Sequence, residues 1–532
     1  MDPHSHCYSG HQFGAFAGQL GDGTNTLLGV LNNYELQLKG SGKTPYSRTA
    51  DGKKVLRSSI REFLASEHLH ALGIPTTRAA TLITSFESKA QRYDATRVLS
   101  PREKEDGEGE EVDNGQEVVD YEYCAVVSRV AESFLRFGSF EIVKDVACKV
   151  SGKMGPSAGN KDLLDTMLKF VISQYYPSLV ENKAGAEFEL TDALVQSFFN
   201  EVSTKTADLV AHWQSVGFTH GVLNTDNMSI LGLTIDYGPY GFMDYMDLDY
   251  TSNFSDNYGR YSFRNQPSVC FWNLQKYCEI LTEVGGYKIA CSKELYDSKF
   301  DEKYFSLMKV KLGLTENENF DKDFNEFLLD TLSETRADFT GTFLKLNDFR
   351  VDLEQSNDKE SIISNYATEI ASELCQTPES MKKAALPLMS NRELIQIIRV
   401  HQTHRMPIEA IVGASVDADH VKKQIERLML FAQVKQAEDI AEVSREKLKN
   451  DVQKWHLFLS QYGQMEVDLK TFKNPKIVLR NYLAQEAIVK AEDGDFSGVR
   501  DLLAKLVNPF EEDESSVCVP KWADGICVSC SS

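Results

Sequence analysis

The sequence predicts an α+β fold in which a strand-rich N-terminal part gives way to a long helical remainder. Three observations carry this. As far as Ala131, short stretches alternate apolar and polar side chains, the period of a half-buried strand, with glycine-rich turns among them. From about Asp162 onward apolar residues recur at three- and four-residue spacing, as on an amphipathic helix. Within the second part lies His220–Gly238, HGVLNTDNMSILGLTIDYG, which sets two aspartates and two asparagines around a short apolar run.

In chain order, the glycine-rich run YSGHQFGAFAGQLGDG comes first, and its segment Gly18-Gln19-Leu20-Gly21-Asp22-Gly23 is expected to turn between two strands. Tyr34–Lys39, YELQLK, alternates as a half-buried strand does. Ser59–Ala71 reads as a helix with Ile60, Phe63 and Leu64 on one face, and Ile74–Thr84 and Cys124–Ala131 read as further strands. Pro101–Glu122 carries ten acidic and two basic residues with few apolar ones, the composition of a solvated insertion. The later helical stretches are LVQSFFNEV, NEFLLDTLSETRADF, VKKQIERLMLFAQ and VLRNYLAQEAIVKA. No internal repeat of fixed period stands out.

A chain of 532 residues with 42% hydrophobic and 26% charged content is ordinary for a globular protein. The net charge of −22 argues against a nucleic-acid partner, whose phosphates it would repel. A protein, or a nucleotide bound through Mg²⁺, is compatible with it. No apolar run is long enough to span a bilayer and no N-terminal h-region is visible, so no membrane partner is expected. Ten scattered cysteines suit a reducing compartment. The exception is Cys527-Val-Ser-Cys530. Zinc would need two more ligands and only Cys518 is near, so a reversible disulfide in a terminal tail is preferred to a metal site, with two ordinary thiols as the alternative.

The central segment resembles the catalytic and metal-binding loops of kinases, with one displacement. In an H-x-D-x-x-x-x-N loop the base lies two residues after the histidine and the metal-ligand asparagine five further on. Here Asn227 holds the asparagine position, the base position is Val222, and the nearby carboxylate is Asp226. Asp226 is the candidate base, and Asn227 with Asp236 of the Asp-Tyr-Gly triplet the candidate Mg²⁺ ligands. A polar turn between strands is the simpler alternative.

Three further elements stand in the order such a scaffold requires. Gly21 and Gly23 would let backbone amides approach phosphate oxygens, although a tight hairpin explains glycines equally well. Lys39, ending its strand, could clamp phosphate or point to solvent. Glu62 could pair with Lys39, yet Ser59-Ile60-Arg61-Glu62 also spells a capping box, slightly the better reading when taken alone. Arg129 and Arg136 in SRVAESFLRFG are candidate phosphate clamps, against the commoner surface ion pair. Gly40-Ser41-Gly42-Lys43-Thr44 is no P-loop, because the residue five before Gly42 is Gln37 and Pro45 follows where a helix should open.

Together these segments, with ALGIPTTRA, SRVAESFLRFGSFE, NPKIVLRNYLAQ and the CVSCSS ending, resemble the SelO (selenoprotein O) family of protein adenylyltransferases over nearly the whole chain. The resemblance implies a protein-kinase-like bilobal fold: an N-lobe over 1–137, a C-lobe over 138–400 and a helical region over 401–532. It implies ATP bound in a flipped orientation, with Mg²⁺ or Mn²⁺, and AMP passed to Ser, Thr or Tyr hydroxyls of proteins. Asp226 would accept the proton, and Asn227 and Asp236 would hold the metal. Gly21, Gly23, Thr24, Lys39, Asp51, Gly52, Arg129, Arg136 and Asp236 would lie along the nucleotide, with Glu62 paired to Lys39. Many bacterial members have arginine where this chain has Thr24, and many eukaryotic ones selenocysteine where it has Cys530. A redox switch with Cys527 is implied, in weakened form. Members usually carry a stretch ahead of YSGHQFG that is absent here, and any mitochondrial leader would lie in it. Family analogy places the protein in mitochondria, with the cytoplasm as alternative. A kinase transferring the γ-phosphate and a catalytically dead redox-responsive module are the competing readings.

Overall fold

Alternation and turn chemistry build the first part of the chain in the computed structural model, which describes residues 3–93, 119–180, 188–315, 317, 320–389, 391–413, 416–511, 519, 520, 522, 523 and 526. Most of the acidic insertion and both tail cysteines, Cys527 and Cys530, lie outside the described residues. The strands are β1 (Cys7–Gln12), β2 (Ala15–Gly21), β3 (Asn25–Leu31), β4 (Tyr34–Lys39), β5 (Lys54–Val55), β6 (Arg78–Tyr93) and β7 (Val119–Ala131), with the short pair β8 (Phe218–Thr219) and β9 (Gly241–Phe242). β1 and β2 form an antiparallel hairpin. In the larger sheet β7 is central, with β4 and β5 along one edge and β6 along the other.

Helices dominate the remainder, after α1 (Leu56–Ala71). They are α2 (Phe137–Phe140), α3 (Lys161–Tyr175), α4 (Asp192–Ser215), α5 (Gln266–Glu279), α6 (Lys293–Leu312), α7 (Lys322–Thr335) and α8 (Phe339–Gln355). Then come α9 (Lys359–Glu369), α10 (Pro378–Met389), α11 (Arg392–His404), α12 (Ile408–Val412), α13 (Ala418–Gln436), α14 (Ile440–Tyr462), α15 (Asn481–Glu492) and α16 (Ser497–Leu506). The expected class, a sheet region followed by helices, is what folds. One apolar core joins α1, α3, α4, α5, α15 and α16, and a second lies among α6, α7, α8, α9 and α14.

The differences from expectation lie at boundaries. Gly18 to Gly21 belong to β2, so the turn narrows to Asp22–Thr24. α1 begins at Leu56, because Val55 and Leu56 are both buried and β5 runs straight into the helix. Ser59 therefore lies inside α1, its hydroxyl donates to Val55 O at 2.9 Å, and the capping-box reading of Glu62 is wrong. The strand expected from Ile74 starts at Arg78, since Thr76 and Thr77 turn to Thr234 instead. The helical run through Asp338 breaks at Arg336, which adopts a left-handed φ of 52°. The last run starts its helix at Asn481.

Candidate active site

The pleat of the sheet brings three polar side chains to one face. Gln37 and Lys39 stand two apart on β4, and Gln37 lies opposite Arg129 of β7, so the three share a side. Buried Glu62 of α1 meets them there. It sits 3.1 Å from Lys39 Nζ, 3.0 Å from Lys54 Nζ and 3.2 Å from Arg129 Nε. Burial alone would push the Glu62 carboxyl up, but Lys39, Lys54 and Arg129 outweigh it and hold it down at about 2. The expected Lys39–Glu62 pair is present.

Lys39 also donates to Asp236 Oδ1 at 3.0 Å, joining the sheet to the loop that follows Ile235. Burial opposes ionisation of Asp236, yet Lys39 and Lys54 hold its carboxyl below the usual range. Asp236 carries a left-handed φ of 59°, a conformation worth about 1 kcal/mol or more of strain in a non-glycine residue. His220 fixes the base of this loop, its Nε2 lying 2.9 Å from Ile235 O.

Asp226 sits on a single turn, Thr225–Asn227, in a narrow slot. A Cβ on Gly10 would fall 2.7 Å from Asp226 Oδ1, and one on Gly138 3.1 Å from Asp226 Cβ. Gln12 Nε2 donates to Asp226 Oδ2 at 3.0 Å, and Arg136 Nη1 donates to its carbonyl oxygen at 3.1 Å. Asp226 Oδ1 is buried with no hydrogen-bond partner. Burial pushes the carboxyl up to about 7, against Gln12 and Arg136, which lower it.

These groups surround two adjoining cavities of about 240 and 430 Å³ that share Gln12, Thr24, Lys39, Asp226, Asn227 and Asp236. Gly23, Arg129 and Arg136 line the first. Arg129 is engaged by Glu62, Ser66 and Thr77, and so braces the sheet. Arg136 stacks 4.6 Å over the Tyr8 ring and lies 3.7 Å from Asp22. Gly21 packs against Tyr46 and Gly52 against the Gly42 loop, Asp51 accepts from Lys53 N at 3.0 Å, and none of the three lines either cavity. Val222, at the usual base position, is buried and apolar.

Asn227 Nδ2 donates to Val222 O at 3.0 Å, which leaves its carbonyl oxygen uncommitted beside Asp236 in both cavities. One carboxylate and one amide oxygen suit Mg²⁺, which takes few protein ligands and completes its shell with phosphate and water. No cluster of three or more His, Cys, Asp or Glu able to hold a metal occurs among the described residues.

Sequence reasoning gave no role to Gln12, Asp22 or Lys54. Gln12 meets Asp226 across 214 residues, a contact no local spacing announces. Asp22 lies within the glycine turn and is buried, accepting from Gln37 Nε2 at 3.1 Å. Lys54 sits eight residues before Glu62, and the strand-to-helix junction alone brings them together.

The sequence model of the family described as "Protein adenylyltransferase SelO" matches residues 1–100 and 107–507. The mitochondrial protein adenylyltransferase SelO of Mus musculus is 40% identical over all of this chain and 80% of its own length. That of Homo sapiens is 41% identical over 96% of this chain and 74% of its own. The protein nucleotidyltransferase YdiU of Nitrosospira multiformis is 35% identical over 98% of this chain and 80% of its own.

Proposed function

The chain belongs to the SelO family of protein adenylyltransferases, and from that premise we propose that it passes AMP from ATP to protein hydroxyls with Asp226 as the proton acceptor. The observation that carries the reading is the unpartnered Asp226 Oδ1, held beside a cavity lined by Lys39, Arg136, Asn227 and Asp236. In the transfer, the acceptor oxygen attacks the α-phosphorus of ATP. Its proton passes to Asp226, the bond to the β-phosphate oxygen breaks, and pyrophosphate leaves with the bonding pair. Asp226 is held in position by its slot and by Gln12.

Lys39 and Arg136 supply fixed positive charge for the phosphates, and Glu62 and Arg129 keep Lys39 extended toward them. Asn227 and Asp236 would hold Mg²⁺ or Mn²⁺, whose charge would offset that of the phosphates when bound. We read residues 1–137 and 138–400 as the two lobes of a kinase-like fold, a reading supported by the Lys39–Glu62 pair and by the cavities beneath the sheet. A mitochondrial location follows by analogy with the mammalian relatives. Among the described residues no helix is long and apolar enough to cross a membrane.

Labelling with α- and γ-³²P-ATP tests the reading. Label on protein from the α position only, lost in Asp226→Ala, is expected. Label from the γ position would make the enzyme a kinase, and none from either, with ATP still bound, would leave a binding module.

A further inference from the structure

Asp226 also lines a third cavity, of about 310 Å³, which shares Tyr8 and Gln12 with the first and meets the expected nucleotide path only at Gly21. It is lined by Tyr8, Gln12, Tyr46, Arg48, Lys153 and Asp226 among others, and it contains none of Lys39, Asn227 or Asp236. Among the described residues Asp226 is its only acidic one, and the exposed cations Arg48 and Lys153 stand in its lining. Neither cation forms an ion pair among the described residues. On a chain of net charge −22, two such exposed cations in the lining of a cavity that the candidate base also lines are a local reversal of the field.

Both cations are placed by tight packing. Lys153 O lies where a Cβ on Gly18 would come within 2.6 Å, and it also accepts from Cys148 N at 2.7 Å. Arg48 holds a left-handed φ of 55°, while the neighbouring Ser47 hydroxyl donates to Gly23 O at 2.5 Å. Strained backbone at Arg48, in the lining of a cavity, points to use of the side chain it presents.

Resting on the AMP-transfer reading, we propose that the acceptor segment enters through this third cavity, and that the enzyme prefers hydroxyls flanked by acidic side chains. Such a segment brings its hydroxyl to Asp226 through a cavity that lacks Lys39, Asn227 and Asp236, while its carboxylates meet Arg48 and Lys153. Exposed pairs of this kind act as a selectivity filter, each contributing a modest factor that salt weakens.

The test offers three serine peptides, identical except for glutamate, glutamine or lysine on both sides of the serine, with α-³²P-ATP. The glutamate peptide should exceed the glutamine one by about fivefold in kcat/KM and the lysine one by more, as two exposed charge pairs imply. The preference should shrink as salt rises from about 50 to about 500 mM. Arg48→Glu with Lys153→Glu should reverse the order while leaving the KM for ATP unchanged. Because the salt series needs no variant, it decides the matter even if the double variant is damaged. Equal rates for the three peptides, an order that persists after charge reversal, or label on mixed cellular proteins but on no peptide would overturn the proposal. No label on peptides or proteins would overturn the AMP-transfer reading beneath it.

Discussion

Gln12 decides how well Asp226 is aimed. Its amide holds one carboxylate oxygen at 3.0 Å and leaves the other bare, while Gly10 leaves the space that oxygen needs. Gln12→Ala should lower kcat by about tenfold or more with little change in the KM for ATP, because the lost contact orients the base rather than the nucleotide. Equal loss in both terms would assign Gln12 to ATP binding instead. Gly10→Ala should cost at least as much, since its Cβ would displace Oδ1. The pH profile is fixed by the same slot. With the carboxyl pushed up to about 7 by burial, the ionised base is lost below that value, so kcat/KM should climb as pH rises through about 7. A flat profile from pH 5 to 9 would remove Asp226 from the proton transfer.

At the scale of elements, the meeting of β4, β5, β7 and α1 on Glu62 is the structural centre of the site. Removing its charge in Glu62→Gln leaves Lys39, Lys54 and Arg129 crowded in a buried space, and a cost of about 3–5 kcal/mol is expected. Thermal unfolding should show the loss, and ATP should restore part of it by bringing phosphate to the uncompensated cations. An unchanged melting temperature would mean that the cluster relaxes into water. How far sequence could reach is visible at this junction. β4 is legible to the residue because alternation and flanking turns both mark it. The start of α1 is not, because buried Val55 and Leu56 give no capping signal, and the apparent one at Ser59 is internal to the helix. Glu62 as partner of Lys39 was legible only through the order of several elements, each ambiguous alone. The register that sets Gln37 against Arg129, and the contact of Gln12 with Asp226, depend on pairing across long separations that spacing does not encode.

Across the whole molecule, the C-terminal helices belong mechanically to the site although they lie far from it. α15 and α16 pack on α1, the helix that carries Glu62. Arg61 donates to Asn481 Oδ1 at 3.1 Å and to Tyr240 O at 2.8 Å, tying α1 to α15 and to the segment after Asp236. About two turns further along, buried His68 lies with Nδ1 2.9 Å from Leu506 O, at the end of α16. Burial lowers the His68 pKa to about 4 from an ordinary 6.5, with the Leu506 carbonyl only partly opposing. The unfolded chain therefore takes up a proton below pH 6.5 that the folded chain refuses until about pH 4, so this contribution to stability is intact above 6.5 and drains away across that window. The shift corresponds to a loss on the order of 3 kcal/mol at the acid end. Buried carboxyls titrate in the same range, so the quantity to measure is the difference between the wild type and His68→Gln, which cannot take up that proton. In urea unfolding at a series of pH values, the two stabilities should converge or cross as pH falls from 6.5 to 4. AMP transfer should fail with the wild type's loss, because releasing α16 frees α1 and lets Glu62 slip from Lys39. Parallel stability curves would show that the α1–α16 contact does not sense pH, and activity surviving the melting of that contact would detach the C-terminal helices from the site.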